Sequence, residues 1–582
     1  MGRGEQEFNL RKKADYGGKN IVDAGCWGRC PQKALRCGRI DREMARKQNL
    51  ETTIESNRPP VSAGRLDQRL AGLALALRGV VAETQEMFIY PACQLDNDSL
   101  DELAVALVEF AEDIHAGIGL WQALENYQSE FFGTPLPLFL DVGEPLSGRF
   151  DPRRIRHFLY ILWRQLKPDL ILAPDHRDLT ELAETLSEFL AAAFRQQPKD
   201  SGVARFLHTP NRRGWDVKRK LVWAGQHSYL FRHQCARYLE EQRTGTTDID
   251  AIDDFICQHC TDCCGLGVID LLAAALDLPE PDRATLRTWY ERHNAPYNVV
   301  TIVKRGAVAE TMQVINVVND QPYCIRLEME KCPFAAGQIV IGSLVPWRGE
   351  WYWSGGQQMW QKAETGLLAA LKKEYVEKLS VLAYRYCADL AQKARDIVRE
   401  HHRQFVAHHG DDLAVFSDGL SLAAAAQKRM RALFDERAEG IVADVMKRYG
   451  LHNPCPRLQF PDAFLKHRDG IGAFFNPDEG EEYMLSFNQV CSAFRKQDAS
   501  LTDNEAESVR ALIENQNISP AFVQRLVREH GCGAIGRAYL IRGFQQMPHL
   551  AWLLRRFKGK FYRTRYPAIS FTQSGVADTA SA

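Results

Sequence analysis

The chain has 582 residues, more than one hydrophobic core supports, so its length alone calls for about two to four domains. Hydrophobic residues at 45%, charged residues at 25% and a net charge of -1 exclude wholesale disorder. They also exclude a surface coated for nucleic acid, so any such site must be a local patch. No apolar run reaches the roughly 20 residues that span a bilayer, and the opening MGRGEQEFNLRKK lacks the apolar core of a signal peptide, so a cytoplasmic protein without membrane contact is expected.

Residues 1–62 are polar and basic, with Gly17-Gly18, scattered Cys26, Cys30 and Cys37, and no sustained period; they read as a disordered basic extension. Helical periodicity begins at Leu66, with Leu70, Leu73, Leu77 and Val81 on the same face. Ser99-Leu100-Asp101-Glu102 reads as a capping box that opens a helix burying Leu100, Leu103, Leu107, Phe110 and Ile114. The opposite face of that helix, with Glu102, Glu109, Glu112 and Asp113, reads as solvated. Asp151-Pro152 supplies an N-cap and a first-turn proline for the next helix, and a further one runs from Asp178. Residues 63–294 are thus expected to form a helical domain.

Within it, FICQHCTDCCGLG places Cys257, Cys260, Cys263 and Cys264 in a C-x2-C-x2-CC array. Thiolates at that spacing reach one ion, and four match a closed tetrahedral zinc site. Cys257, Cys260 and Cys264 also have the spacing of a buried helix face, where free cysteine packs well. The array resembles the opening C-x2-C-G-x-CC of a family of zinc- or iron-chelating proteins, with Thr261 in place of the glycine and Cys324 and Cys332 standing for the later cysteines. That resemblance implies bound zinc.

From Tyr297 the period becomes two, with a turn at Asn319-Asp320 and another at Arg348-Gly349; residues 295–358 read as a small SH3-like barrel. Its G-Q-x5-L-V-P-x4-W-x-x-SG pattern resembles a barrel module of uncharacterised bacterial proteins with metal-binding tails, which implies no activity. Trp347, Trp351, Trp353 and Trp360 fit the barrel core and the seat of the following helix. Residues 359–450 read as long helices around a Gly410–Gly419 connector, with His401-His402 and His408-His409 closing the first helix.

Residues 451–571 read as a separate C-terminal α+β module, with strands around Asn476-Pro477 and helices opening at Thr502 and Ser519-Pro520; 572–582 read as a disordered tail. Its last stretch interleaves Arg555, Arg556, Phe557, Lys558, Lys560, Tyr562, Arg563 and Arg565. Cations beside rings grip single-stranded nucleic acid or an acidic protein partner. The same residues can equally pack a helix–strand corner with the charges in water. The expected fold class is therefore mainly α with a small β-barrel inserted, an α+β multidomain chain.

The sequence contains no G-x4-GK[ST], no GxGxxG after a strand, no HExxH and no GxSxG, which points to a non-enzymatic protein. The layout, with Met446-Lys447 inside Ala443–Arg448 between a large N-terminal and a small C-terminal part, resembles the type III-E CRISPR-associated protein cleaved by the caspase-like peptidase of that system. The resemblance implies cleavage between Met446 and Lys447 and binding of an extracytoplasmic-function sigma factor, as a regulatory protein of a bacterial defence locus. Two alternatives stand beside it: a zinc-stapled scaffold that binds nucleic acid through residues 555–566, and an enzyme with an unrecognised site.

Overall fold

The computed structural model describes residues 31–243, 245, 247–292, 294–360, 365–378, 388–435, 458–496, 499–544, 546–563 and 565. They fall into two units, residues 1–49 and 50–582. Helix α1 spans Pro31–Ser56, inside the stretch expected to be disordered, and in the larger unit its Leu50 and Ile54, one turn apart, are buried.

The helical body continues with α2 (Asp67–Gln85), α3 (Asn97–Ala116), α4 (Leu120–Phe132), α5 (Pro152–Leu166), α6 (Arg177–Ala193), α7 (Gly202–Leu207), α8 (Gly214–His227), α9 (Arg232–Glu241), α10 (Ile249–Gln258), α11 (Val268–Ala275) and α12 (Glu280–Arg287). Asp151 caps α5 as its sequence indicates. Helix α3 starts earlier than expected, because Asp96 takes the capping role and accepts the Ser99 backbone N–H at 2.8 Å.

The acidic face of α3 is the larger departure. Glu109, Glu112 and Asp113 are buried rather than solvated, because α3 is covered on nearly every side. Each carboxylate has a partner, as burial of charge requires. Arg58 and the Ser201 hydroxyl each donate to Glu112 at 2.7 Å, Arg232 pairs with Glu109, and the Tyr229 hydroxyl donates to Asp113 at 2.7 Å. Glu102 alone stays near the surface, against His233.

The β-rich part is a closed barrel of β1 (Asn294–Arg305), β2 (Val308–Asn316), β3 (Pro322–Met329), β4 (Ile339–Trp347) and β5 (Glu350–Trp360), ordered β1-β2-β3-β5-β4. Arg348 and Gly349 both adopt positive φ, the conformation that a two-residue hairpin turn requires. Tyr297, Met312, Val314, Ile325 and Val340 form a core of the barrel's own, edged by Trp351 and Trp353. Trp347 faces the other way, edge-on to Trp289 with ring centroids 6.2 Å apart, and joins the helical core; Trp360 is exposed.

The SG of the barrel motif seats this unit on α10. Ser354 Oγ donates to Asp253 Oδ2 at 2.8 Å and accepts from Lys218 Nζ at 2.8 Å, while Asp253 also pairs with Lys218 and Arg292. The Gly356 N–H donates to Asp250 at 2.6 Å, an approach so close that a Cβ at 355 would press on the Asp250 carboxylate.

After the barrel come α13 (Thr365–Lys378), α14 (Ala388–His409), β6 (Leu413–Phe416), α15 (Gly419–Asp435), α16 (Asp462–Leu465), β7 (Ile471–Asn476), β8 (Gly480–Leu485), α17 (Phe487–Arg495), α18 (Asp503–Glu514), α19 (Pro520–His530), α20 (Gly533–Ala538) and α21 (Ala551–Phe557). Thr502 and Ser519 cap α18 and α19 as expected. The Gly410–Gly419 connector contains a strand: β6 pairs antiparallel with β7, giving a three-stranded sheet ordered β6-β7-β8. Residues on both sides of position 450 therefore share one sheet. Phe474, Phe487, Phe522 and Leu553 also belong to the same buried cluster as the helical body, so the segment after 450 is not a body apart.

Candidate functional site

The cysteine array and the basic-aromatic stretch meet. Helix α10 ends at Gln258, and the chain then closes a loop in which the Thr261 N–H and hydroxyl both donate to the Leu266 carbonyl, at 3.0 and 2.9 Å. Gly265, at φ 73°, presents bare backbone to Arg555 and Arg556, and Gly559 lies equally close to Gly265. A Cβ at either glycine would fall inside the opposing backbone.

Around this contact the basic residues are turned inward. Arg556, buried, donates to the Asp262 carbonyl at 2.6 Å and stacks on Trp552, Phe557 and Tyr160. Arg555 lies 3.8 Å from the Phe131 centroid and 4.3 Å from that of Tyr562. Arg563 donates to the Gln258 carbonyl at 3.0 Å and to Asp270 at 2.6 Å, and Arg565 pairs with Glu479. Phe557 is buried and Lys560 half-buried. The surface expected over residues 555–566 is thus largely an internal seam between the C-terminal segment and the helical body. Of its named members, Tyr562 and Arg565 are exposed; residue 566 lies outside the described residues.

Lys558 is the extreme case, with no exposed surface. Its ammonium donates to the Asn515 and Ile518 carbonyls at 2.7 and 2.6 Å. Burial pushes its pKa from 10.5 down to about 7. Between those values the unfolded chain binds more protons at this site than the folded one, so its contribution to stability rises with pH from 7 to 10.5. Lys558→Met is expected to flatten that rise in urea unfolding. It should also cost about 1–3 kcal/mol for each carbonyl left without a donor.

The four thiols occupy three surroundings, with Cys263 and Cys264 sharing one. Cys257 sits on α10, with Lys218 Nζ 3.8 Å away and Asp253 3.9 Å away. Cys260 is buried, and burial pushes its thiol up to about 11. Cys263 and Cys264 have their sulfurs 3.7 Å apart, with the Thr261 hydroxyl 2.9 and 3.5 Å from them. The contact between the two thiols lowers the pKa of Cys263 and raises that of Cys264, where burial adds to the rise. Among the described residues, no three of these sulfurs come together as the ligand atoms of one ion would. The array forms a packed loop under Arg556, and its four sulfurs do not share a common centre. Cys324 and Cys332 lie in the barrel region, exposed and half-buried.

Asp411 and Asp412, beside the paired histidines, are taken up by Arg525 of α19, at 2.8 and 2.9 Å. His402 packs on Phe475 and His409 on Phe405. Met446 and Lys447, the candidate scissile pair, lie outside the described residues. No described helix is long and apolar enough to cross a membrane. Sequence reasoning missed the buried polar groups: nothing local distinguishes Glu112 or Lys558 from a surface residue, because each partner is more than 30 positions away.

Residues 89–250 match the family model described as "Protein of unknown function (DUF3843)", a stretch that covers α3 to α9 of the helical body. No curated protein and no solved structure matches the chain.

Proposed function

We propose that the chain is a non-enzymatic regulatory protein that works by binding other proteins, in a bacterial defence locus of the type III-E CRISPR kind. In this reading the caspase-like peptidase of the locus cuts between Met446 and Lys447, an extracytoplasmic-function sigma factor is a partner, and the SH3-like barrel is an interaction module. The observation that supports it is the way the chain closes around residues 436–457. Leu458 N–H donates to the Gln427 side chain of α15 at 2.8 Å, and β6 and β7 pair across the gap in sequence. The described residues on either side of the candidate bond are thus held together by contacts of their own, Leu458 on the helix Gly419–Asp435 and β7 on β6.

The test is incubation of the full chain with the activated peptidase, followed by N-terminal sequencing and gel filtration. The expected result is one new N-terminus at Lys447, with both fragments co-eluting as one species until denaturant is added. An uncut chain, or a new terminus elsewhere, would sink the reading of this bond. Fragments that part spontaneously would sink the account of how the two sides are held.

A further inference from the structure

We infer that Cys93, His176 and Asp178 form a zinc site. A thiol, an imidazole and a carboxylate offer ligand atoms that all lie within 4.8 Å of one another, the one such group among the described residues. Cys93 and Asp178 are 2% and 1% exposed, and His176 is half-buried, so two of the three ligands are shielded from water.

The three residues come from rigid positions. Cys93 ends the short turn Pro91–Cys93. The Gln85 side chain holds that turn on its far side by accepting the Leu95 N–H at 3.0 Å and donating to the Leu95 carbonyl at 3.2 Å. His176 is the N-cap of α6, and Asp178 lies in its first turn. Asp178 Oδ1 and Oδ2 each accept one backbone N–H, from Ile89 at 3.1 Å and Tyr90 at 3.2 Å. Those bonds hold the Asp178 carboxylate and the turn that carries Cys93 in place.

Two further observations indicate a cation. Asp178 is a buried carboxylate with no ion-pair partner among the described residues, its hydrogen bonds coming from neutral backbone groups. A buried charge in that state is costly unless a cation compensates it. The imidazole is poorly satisfied as well: one ring nitrogen stands 4.0 Å from the Cys93 sulfur, at the limit of a sulfur hydrogen bond, and Nδ1 is buried without a partner. A metal ion at that place gives the carboxylate its counter-charge and bonds the ring nitrogen that faces the sulfur.

The donor set selects the metal. Sulfur, nitrogen and oxygen together suit zinc, which takes three protein ligands and a water in an open tetrahedral site. A tetrahedral ion with bonds of about 2.0–2.3 Å brings sulfur and nitrogen to about 3.5 Å, a modest contraction of the present spacing. Binding releases the Cys93 thiol proton to solvent. The thiolate and carboxylate then balance the two charges of the ion. The site ties the loop after α2 to the start of α6, beside the two hydrogen bonds to Asp178 and the ring contact of Tyr90 with His176. It is independent of any cut at residue 446.

Cobalt(II) titration of the full chain, made without a polyhistidine tag, tests the site. One equivalent per chain is expected to give a near-ultraviolet thiolate charge-transfer band with intense visible bands of tetrahedral cobalt, both removed by zinc. Cys93→Ser should abolish the charge-transfer band, and His176→Gln should weaken cobalt binding at least tenfold. The Cys263→Ser/Cys264→Ser double variant should keep the full spectrum. No thiolate band in the parent chain, a band that survives Cys93→Ser, or one lost with Cys263 and Cys264 would each overturn the assignment. Circular dichroism establishes that each variant is folded. Should Cys93→Ser fail to fold, the half-buried His176→Gln carries the test, and unchanged cobalt affinity there overturns it.

Discussion

Replacing Gly265 by alanine is expected to lower stability by more than about 3 kcal/mol and to loosen the C-terminal segment from the helical body. Two costs add. A non-glycine residue at φ 73° carries about 1 kcal/mol of backbone strain. The greater cost is steric, because the new methyl group would meet the Arg555 carbonyl, which no side-chain rotation can move aside. Gly117 provides the control. It has nearly the same φ, 71°, with open space where a Cβ would go, so Gly117→Ala should show the strain alone. Thermal unfolding measures the difference between the two, and limited proteolysis should find residues 555–565 newly accessible in the first variant only. Equal effects from both substitutions would mean that the seam does not bear on stability.

Asp253→Asn is expected to cost about 3–5 kcal/mol, the usual consequence of removing one member of a buried charged set. Asp253 is almost fully enclosed and holds Lys218, Arg292 and the Ser354 hydroxyl together between α10 and the barrel. Without its charge, half-buried Lys218 loses its ion pair and buried Arg292 keeps only Asp254. Burial already lowers the pKa of Lys218 to about 8, so the lysine should respond by shedding its proton more readily. The neighbouring Asp254 is 43% exposed and pairs with Arg292 at the surface, so Asp254→Asn should cost less than about 1 kcal/mol. Urea unfolding followed by tryptophan fluorescence reports this directly, since Trp289 and Trp347 meet at the same junction. The barrel has a core of its own and is expected to loosen from the body before it unfolds.

What could be read from the sequence was local. The caps at Asp151, Thr502 and Ser519, the Arg348-Gly349 turn and the alternation of the barrel strands act over a few residues, and each stands where its pattern indicates. Hidden from such reading was everything decided by long-range pairing. The carboxylates of α3 have the spacing of a wet helix face and are buried because Arg58, Arg232 and Tyr229 come from distant positions to meet them. Arg555 to Arg565 carry the pattern of a contact surface, and their partners lie inside the chain: Arg556 and Arg563 meet Asp262 and Asp270 far upstream, and Lys558 the carbonyls of Asn515 and Ile518. The strand at Leu413–Phe416, four residues long and flanked by Gly410 and Ser417-Asp418, looks like a connector until β7 arrives to pair with it.

That short strand decides what a cut chain can become. β6 lies upstream of the candidate bond, and the strand that it covers, β7, lies downstream, with all six of its residues buried. While the fragments stay together, β7 remains an interior strand. Were the downstream piece to leave by itself, one side of β7 would become a bare row of backbone donors and acceptors, a template for any extended chain of suitable length. Strand addition by a foreign peptide would fill the slot that β6 vacates. Release and the making of a receptor would then be a single event, with the discarded strand as the model for whatever binds next.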